Sequence, residues 1–209
     1  MFSIVDPADV RWVFLSHDDT DHTGNLTQVL DACPNATLVT NWFSVERMTT
    51  EVGLPLHRMR WVDDGERFDV GDRELIALRP PMFDSPTTRG LLDTSTGVYW
   101  ASDSFAAPVT APADHVSDLD PDFWREGFSM INRTLCPWLT WVDSARWMSQ
   151  VDRLRAADLT TIATAHGPVV TGTHVGQVLD LTAELPGQEP VVLPGQAVLD
   201  EMLLSLSAV

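Results

Sequence analysis

Two patterns in the sequence predict an α/β layered fold. Short apolar runs bounded by turn-forming residues, such as the Trp-Val-Phe-Leu run at 12–15, indicate buried strands. Between these runs lie stretches whose apolar residues recur at helical spacing, as Leu26, Val29 and Leu30 do. This alternation favours layers of strands and helices over a β-sandwich or a helical bundle. With 209 residues, 44% of them hydrophobic, we expect one domain over 1–209 with a substantial core.

The first half of the chain begins with a capped turn and contains four strand patterns. Asp6 precedes Pro7, and proline near the first helical position is typical of a helical turn. Asn41 can cap a helix that continues to about Val52, and Gly53 ends it. The other predicted elements of this half are strands at 11–15, 36–40, 60–62 and 67–70 and a helix at 25–32.

The second half contains a hairpin and a long helical region. Residues 90–92 and 97–101 predict two strands that pair across a turn. Residues 120–157 indicate helix, interrupted at Pro137 because proline breaks the helical hydrogen-bond pattern. The other predicted elements are strands at 74–78 and 160–165 and helices at 175–185 and 197–206, the last within a C-terminal extension at 186–209.

The composition excludes several classes of partner. A net charge of −17 gives no electrostatic basis for binding nucleic acid or an anionic membrane surface. Cys33 and Cys136 stand without CxxC spacing, which predicts a reducing compartment and no disulfide framework. No secretory signal and no apolar stretch long enough for a membrane span is recognisable, so we expect a cytoplasmic protein.

The segment at 16–25 is the richest in potential metal ligands. It holds two imidazoles and three carboxylates within six positions: His17, Asp18, Asp19, Asp21 and His22. Because it lies between a predicted strand and a predicted helix, a turn there can direct several side chains at one point. Imidazole with carboxylate is the ligand set of a divalent transition-metal site, which we predict here.

Three further strand ends carry residues that complete such a site. Asp84 follows the strand at 74–78, Asp103 follows the hairpin, and His166 ends the strand at 160–165. Asp103 has two carboxylate oxygens and is therefore suited to bridge two metal ions.

The order and spacing of these residues resemble the metallo-β-lactamase fold over about residues 6–175. The resemblance implies an αββα sandwich. In that superfamily the first motif is usually HxHxDH, and here Asp19 replaces its second histidine. A carboxylate at that position resembles the HxExDH motif of the flavodiiron branch, which implies two iron ions as cofactors. The resemblance implies metal ligation by six residues: His17, Asp19, Asp21, His22, Asp103 and His166.

Two features depart from the family pattern. Alignment on Asp84 and Ser85 places the family's third histidine at Pro81, which cannot bind a metal. The first metal then keeps only His17, Asp19 and the bridge, and three outcomes stay open: water or Asp84 completes the site, only one metal binds, or the site is degenerate. The family also has several strands before its first motif, whereas only residues 1–16 precede it here. We therefore expect an incomplete N-terminal sheet whose exposed face indicates a fragment, a start upstream of Met1 or a covering partner subunit.

The resemblance favours a non-haem diiron protein that binds or reduces dioxygen, nitric oxide or peroxide. Carboxylate-rich ligation suits iron, and the chain has no room for a flavin domain, so an external electron donor is expected. The alternatives are a zinc-dependent hydrolase, in which Asp21 orients an attacking water as a catalytic residue, and a non-catalytic remnant. A small-molecule substrate and a homo-oligomer are the other expected partners.

Other residues near these motifs have simpler interpretations. Asp18 occupies a position that the family motif leaves free and is expected to support the site without binding metal, and Thr87 and Thr88 have no assigned role. Aromatic residues at helical spacing predict core packing, with a wall of the metal pocket as the alternative. They are Phe123, Trp124, Phe128, Trp138, Trp141 and Trp147.

Overall fold

The structure is a computed structural model that describes residues 2–50 and 53–207. Within those residues it contains nine strands and seven α-helices. The strands are β1 (Trp12–Phe14), β2 (Thr37–Thr40), β3 (Met59–Trp61), β4 (Arg67–Asp69), β5 (Glu74–Leu78), β6 (Gly90–Asp93), β7 (Val98–Trp100), β8 (Thr161–Ala163) and β9 (Val170–Thr171). The helices are α1 (Thr20–Thr23), α2 (Leu26–Ala32), α3 (Trp42–Met48), α4 (Pro121–Leu135), α5 (Ser144–Arg155), α6 (Thr173–Glu184) and α7 (Gln196–Ser207).

The strands form two sheets. The first has three parallel strands in the order β1-β2-β3, and the second has six in the order β4-β5-β6-β7-β8-β9. Only β7 and β8 pair in parallel in the second sheet, where Tyr99 lies opposite Ile162. In the described part of the chain, the first sheet therefore has half as many strands as the second.

Three apolar clusters hold the layers together. One cluster joins the first sheet to α2 and α3 through Leu30, Leu38 and Met48. A second lies between the sheets, where Val39 packs with Phe68. The largest joins the second sheet to α4, α5 and α6. The order of layers is helix, sheet, sheet, helix, which confirms the predicted αββα sandwich.

Most predicted elements are present, with small shifts at their ends. The helical region is interrupted at Pro137 as predicted, where a five-residue 3-10 helix separates α4 from α5. The helix capped by Asn41 ends at Met48, and the predicted continuation through Glu51 and Val52 lies outside the described residues. Neither α1 nor β9 was predicted, because both are too short to show a period.

The aromatic prediction is confirmed for part of its set. Trp124, Phe128 and Trp147 are buried in the largest cluster. The prediction is wrong for Phe123 and Trp141, which are 38% and 86% exposed. The 3-10 helix after Pro137 turns Trp141 toward solvent. Trp138 packs against Phe83, beside the Asp84 loop, with 4.9 Å between ring centroids.

Within residues 2–50 and 53–207, no helix combines the length and apolar character that a bilayer crossing requires. Both cysteines, Cys33 and Cys136, are buried free thiols. Burial raises the pKa of the Cys136 thiol to about 12, and the negative charge of Asp84 acts in the same direction. The thiol therefore stays protonated at neutral pH.

Gly90 is required where β6 passes the ring of Tyr99. A methyl group there would lie 2.5 Å from the Tyr99 hydroxyl, which donates a 2.8 Å hydrogen bond to the carbonyl of Leu78. We expect Gly90→Ala to lower the free energy of unfolding by about 1–3 kcal/mol through overpacking. Gly176 in α6 has open space at the same position, so Gly176→Ala should raise it by about 0.5–1 kcal/mol. Urea titrations of both variants test the pair, and equal effects would contradict this account.

Candidate metal centre

Four strand ends bring the predicted metal-binding residues together. His17 follows β1, Asp84 follows β5, Asp103 follows β7 and His166 follows β8. The short helix α1 carries Asp21 and His22, and Asp19 stands directly before its first residue. Strand ends at one edge of two packed sheets therefore form the candidate site.

The donor atoms fall into two adjacent groups. The first group, which includes the ligands expected for the first metal, contains His17, Asp19 and Asp84. The second group contains Asp21, His22, Asp103 and His166. All six residues predicted as ligands are present in these groups, and Asp84 is the addition.

The second group is compact. His22 Nε2 lies 2.9 Å from Asp103 Oδ1, and His166 Nε2 lies 3.2 Å from Asp103 Oδ2. Asp21 Oδ2 is 3.5 Å from His22 Nε2 and 3.3 Å from His166 Nε2. Four donors thus surround one point.

The first group is slightly wider and centres on His17. Its Nε2 atom lies 3.6 Å from both Asp19 Oδ2 and Asp84 Oδ2, and 3.8 Å from Asp103 Oδ2. Asp103 therefore faces both groups, since its Oδ2 lies near both His17 and His166 while its Oδ1 lies near His22.

These separations fit metal binding. Two donors at about 2.1 Å from one metal, at angles of about 90–120°, stand roughly 3.0–3.6 Å apart. His17 Nε2 and His22 Nε2 are buried and make no hydrogen bond of acceptable geometry, although carboxylate oxygens lie close to both. Because buried polar atoms without partners are rare, nitrogen atoms in this state indicate a site built for an ion.

Two serines orient His17 from the other side of its ring. The hydroxyl oxygens of Ser16 and Ser102 each lie 3.1 Å from His17 Nδ1. With Nδ1 occupied in this way, Nε2 is the atom left to face the carboxylates. Ser102 has a φ of 56°, a left-handed conformation that costs a non-glycine residue energy, directly before Asp103.

Asp18 points away from both groups. Its Oδ1 accepts a 2.6 Å hydrogen bond from the Thr87 hydroxyl, and its Oδ2 accepts one from Arg47 Nε at 2.5 Å. Asp18 is thus placed as the sequence suggested, as a support that ties the ligand turn to the Asp84 loop. No local pattern pointed to Thr87, because its partner Asp18 lies 69 positions away along the chain.

Residues of the second group shift one another's pKa values. The close Asp103 carboxylate raises the pKa of His22, while burial acts against it. Burial raises the pKa of Asp103, but the nearby His22, His17 and His166 outweigh that effect, so the pKa of Asp103 lies below its usual value.

One side of the centre is open to solvent. The side chains of Asp21 and His166 are 56% and 43% exposed, whereas His17 is fully buried. An open depression of about 670 Å³ borders this side and is lined by seven residues: Asp18, Asp19, Thr20, Asp21, Thr23, Arg47 and Met48. A small molecule can therefore approach the donor groups from this direction.

The first group has a third potential donor although Pro81 supplies none. Pro81 is buried, and the carboxylate of Asp84 stands with His17 and Asp19 instead. Completion by Asp84 is one of the outcomes that the sequence left open, and this geometry is compatible with it.

The fold and these two donor groups define a metallo-β-lactamase-fold protein of the flavodiiron-like class. The chain belongs to the family described as ODP family beta lactamase, whose model matches residues 1–167.

Individual relatives agree with this class. The putative diflavin flavoprotein A 1 of Nostoc sp. is 24% identical over 180 residues, which cover 84% of this chain and 29% of that protein. The rubredoxin oxygen:oxidoreductase of Desulfovibrio gigas superposes with a TM-score of 0.77 at 16% identity, covering 90% of this chain and 47% of that one. A structure described as a peroxy diiron species of the chemotaxis sensor ODP gives a TM-score of 0.69 at 18% identity, covering 96% of this chain and 78% of that one. The chain spans between 29% and 43% of the length of three curated relatives that it matches.

Proposed function

We propose that this protein is a non-haem diiron protein that binds or reduces dioxygen or a similar small oxidant. The observation that carries the proposal is the pair of adjacent donor groups with Asp103 facing both. A shared carboxylate suits two ions held side by side, and a carboxylate-rich donor set suits iron. The proposal treats residues 1–209 as one domain.

The proposed ligands divide between the two ions. His17 and Asp19 would hold the first ion, Asp21, His22 and His166 would hold the second, and Asp103 would bridge them. When bound, two ferrous ions would supply a binding place for the oxidant and up to two electrons.

The polypeptide has two tasks in this proposal. Ser16 and Ser102 hold the His17 ring with Nε2 facing the carboxylates, so that the ligand is oriented before an ion arrives. The open side at Asp21 admits the substrate, and the Asp21 carboxylate can orient it or a water molecule beside the ions.

Electrons must come from outside the described residues if the protein turns over. Conversion of dioxygen to water takes four electrons and four protons, and two ferrous ions give up only two electrons on becoming ferric. We therefore propose an external electron donor, or action as a sensor that responds to a single oxidation. Assembly as a homo-oligomer and a location in the cytoplasm, where Cys33 and Cys136 stay reduced, belong to the same proposal.

The metal content of the purified protein tests the proposal. The protein is expressed with iron and zinc both available, and metals are counted by mass spectrometry. We expect about two irons per chain and a near-ultraviolet absorption change when dioxygen meets the reduced protein. His166→Ala should lower the content to about one iron, because it removes a donor from the second group alone.

Other metal contents would overturn the proposal, and each would indicate a different alternative. Two zinc ions and no absorption change would favour the hydrolase alternative, in which a metal-bound water is the nucleophile. No bound metal would indicate a site that has lost this function.

A further inference from the structure

The carboxylate of Asp84 is nearly buried without a cation to neutralise it. Its side chain is 14% exposed, and its ion-pair partner among the described residues is the imidazole of His17. No arginine of the described residues pairs with it, although the neighbouring Arg79 lies over the Phe83 ring. A buried carboxylate needs a paired charge or a metal ion to offset its lost hydration.

The loop holds this carboxylate in one orientation. The Thr88 hydroxyl donates a 3.0 Å hydrogen bond to Asp84 Oδ1, and the Thr88 oxygen accepts a 3.3 Å bond from the Ser85 amide. Oδ2 is thereby left facing His17 Nε2 at 3.6 Å. His17 Nε2 is itself fully buried without a hydrogen bond. Asp84 Oδ2 and His17 Nε2 therefore face the same point, where a metal ion could bind both.

We propose that Asp84 is a protein ligand of the first metal, held by Thr88, and that it makes the centre favour the oxidised state. The assignment rests on the proposed function for the identity of the metal as iron. It completes the first group with His17, Asp19 and the bridging Asp103, so that each half has four protein donors.

The consequence for charge follows from counting carboxylates. Asp84 brings the centre to four carboxylates, which also include Asp19, Asp21 and Asp103. Four negative charges balance two ferrous ions and leave a net charge of +2 around two ferric ions. A neutral ligand in place of Asp84 would raise both totals by one. Since an added negative charge nearby stabilises the more positive ion more strongly, Asp84 should lower the reduction potential of the centre.

Metal titration of Asp84→Asn tests the ligand assignment. Apo-protein is titrated anaerobically with ferrous ion, and separately with zinc, by calorimetry. The amide keeps the shape of the side chain and removes its charge. We therefore expect two tight sites in the unaltered protein, and in the variant a site for the first metal that is weakened at least about tenfold. Asp31→Asn is the matched control, because Asp31 is exposed on α2 and belongs to neither donor group. Circular dichroism of each apo-protein checks folding.

The midpoint potential of iron-loaded Asp84→His tests the charge argument. Imidazole restores a neutral ligand, so we expect two bound irons and a midpoint potential above that of the unaltered protein. Unchanged titration of Asp84→Asn would overturn the ligand assignment, and a potential in Asp84→His equal to or below the original would overturn the charge argument. If the unaltered protein takes up zinc but no iron, the proposed function fails, while the zinc titration still decides the role of Asp84.

Discussion

Asp103→Asn is expected to lower the metal content from about two ions to fewer than one per chain. Asp103 Oδ1 lies 2.9 Å from His22 Nε2, and Oδ2 lies 3.2 Å from His166 Nε2 and 3.8 Å from His17 Nε2. An amide has one weakly binding oxygen and an NH₂ group that cannot bind a metal, so it cannot serve both halves. The substitution also removes the single charge that both ions would share.

Metal counting after anaerobic gel filtration measures this effect. His166→Ala is the comparison, because His166 stands in the second group alone and its loss should leave the first ion in place. If Asp103→Asn keeps one tightly held ion, the same metal content as His166→Ala, then the Asp103 carboxylate serves only one of the two metal sites.

Six of the seven residues in the two donor groups were predicted from the sequence as ligands, and Asp84 is the seventh. Their predictability has a physical origin, since they follow short apolar strands whose ends meet at one edge of the layers. The turn after β1 and the position of Asp103 after β7 are both fixed by strand boundaries that local patterns reveal. The alternation of strands and helices predicted α/β layers, and the αββα order came from the resemblance to the metallo-β-lactamase fold.

The role of Asp84 was not predictable to the same degree. It lies in an irregular loop between β5 and β6, where no period fixes which side chain reaches the centre. Its orientation depends on Thr88, and that of His17 on Ser102, which is 85 positions away. Contacts of this kind arise only when the layers have packed, so a single sequence carries no local sign of them.

The same loop depends on a buried arginine, and this leads to the second large effect. Arg89 is 5% exposed, and its Nη1 donates to the carbonyl of Thr88 at 2.9 Å and, more weakly, to those of Thr87 and Pro86. Its Nη2 donates to Asp63 Oδ1 at 2.8 Å, and its amide donates to the carbonyl of Ser16. The guanidinium therefore fastens the loop that carries Asp84.

We expect Arg89→Met to lower the free energy of unfolding by about 2–3 kcal/mol, since it leaves loop carbonyls without their charged donor. Because Thr88 would lose its fixed position, the affinity for the first metal should fall by about 10–100-fold, as happens when outer hydrogen bonds to a ligand are lost. Urea titration of the apo-protein and metal titration of the folded variant measure the two effects separately.

Arg67→Met is the matched control for this prediction. Arg67 makes a 2.7 Å ion pair with Glu74, but its side chain is 57% exposed, so the pair is screened by solvent. An exposed pair of this kind contributes about 0–1 kcal/mol. Among the described residues, the side-chain hydrogen bond and ion pair of Arg67 go to Glu74 and not to the Asp84 loop. The prediction is wrong if the two variants lose the same stability and Arg89→Met keeps its affinity for the first metal. The loop would then hold Asp84 without the guanidinium, and packing around Pro81 and Met82 would have to keep the loop rigid.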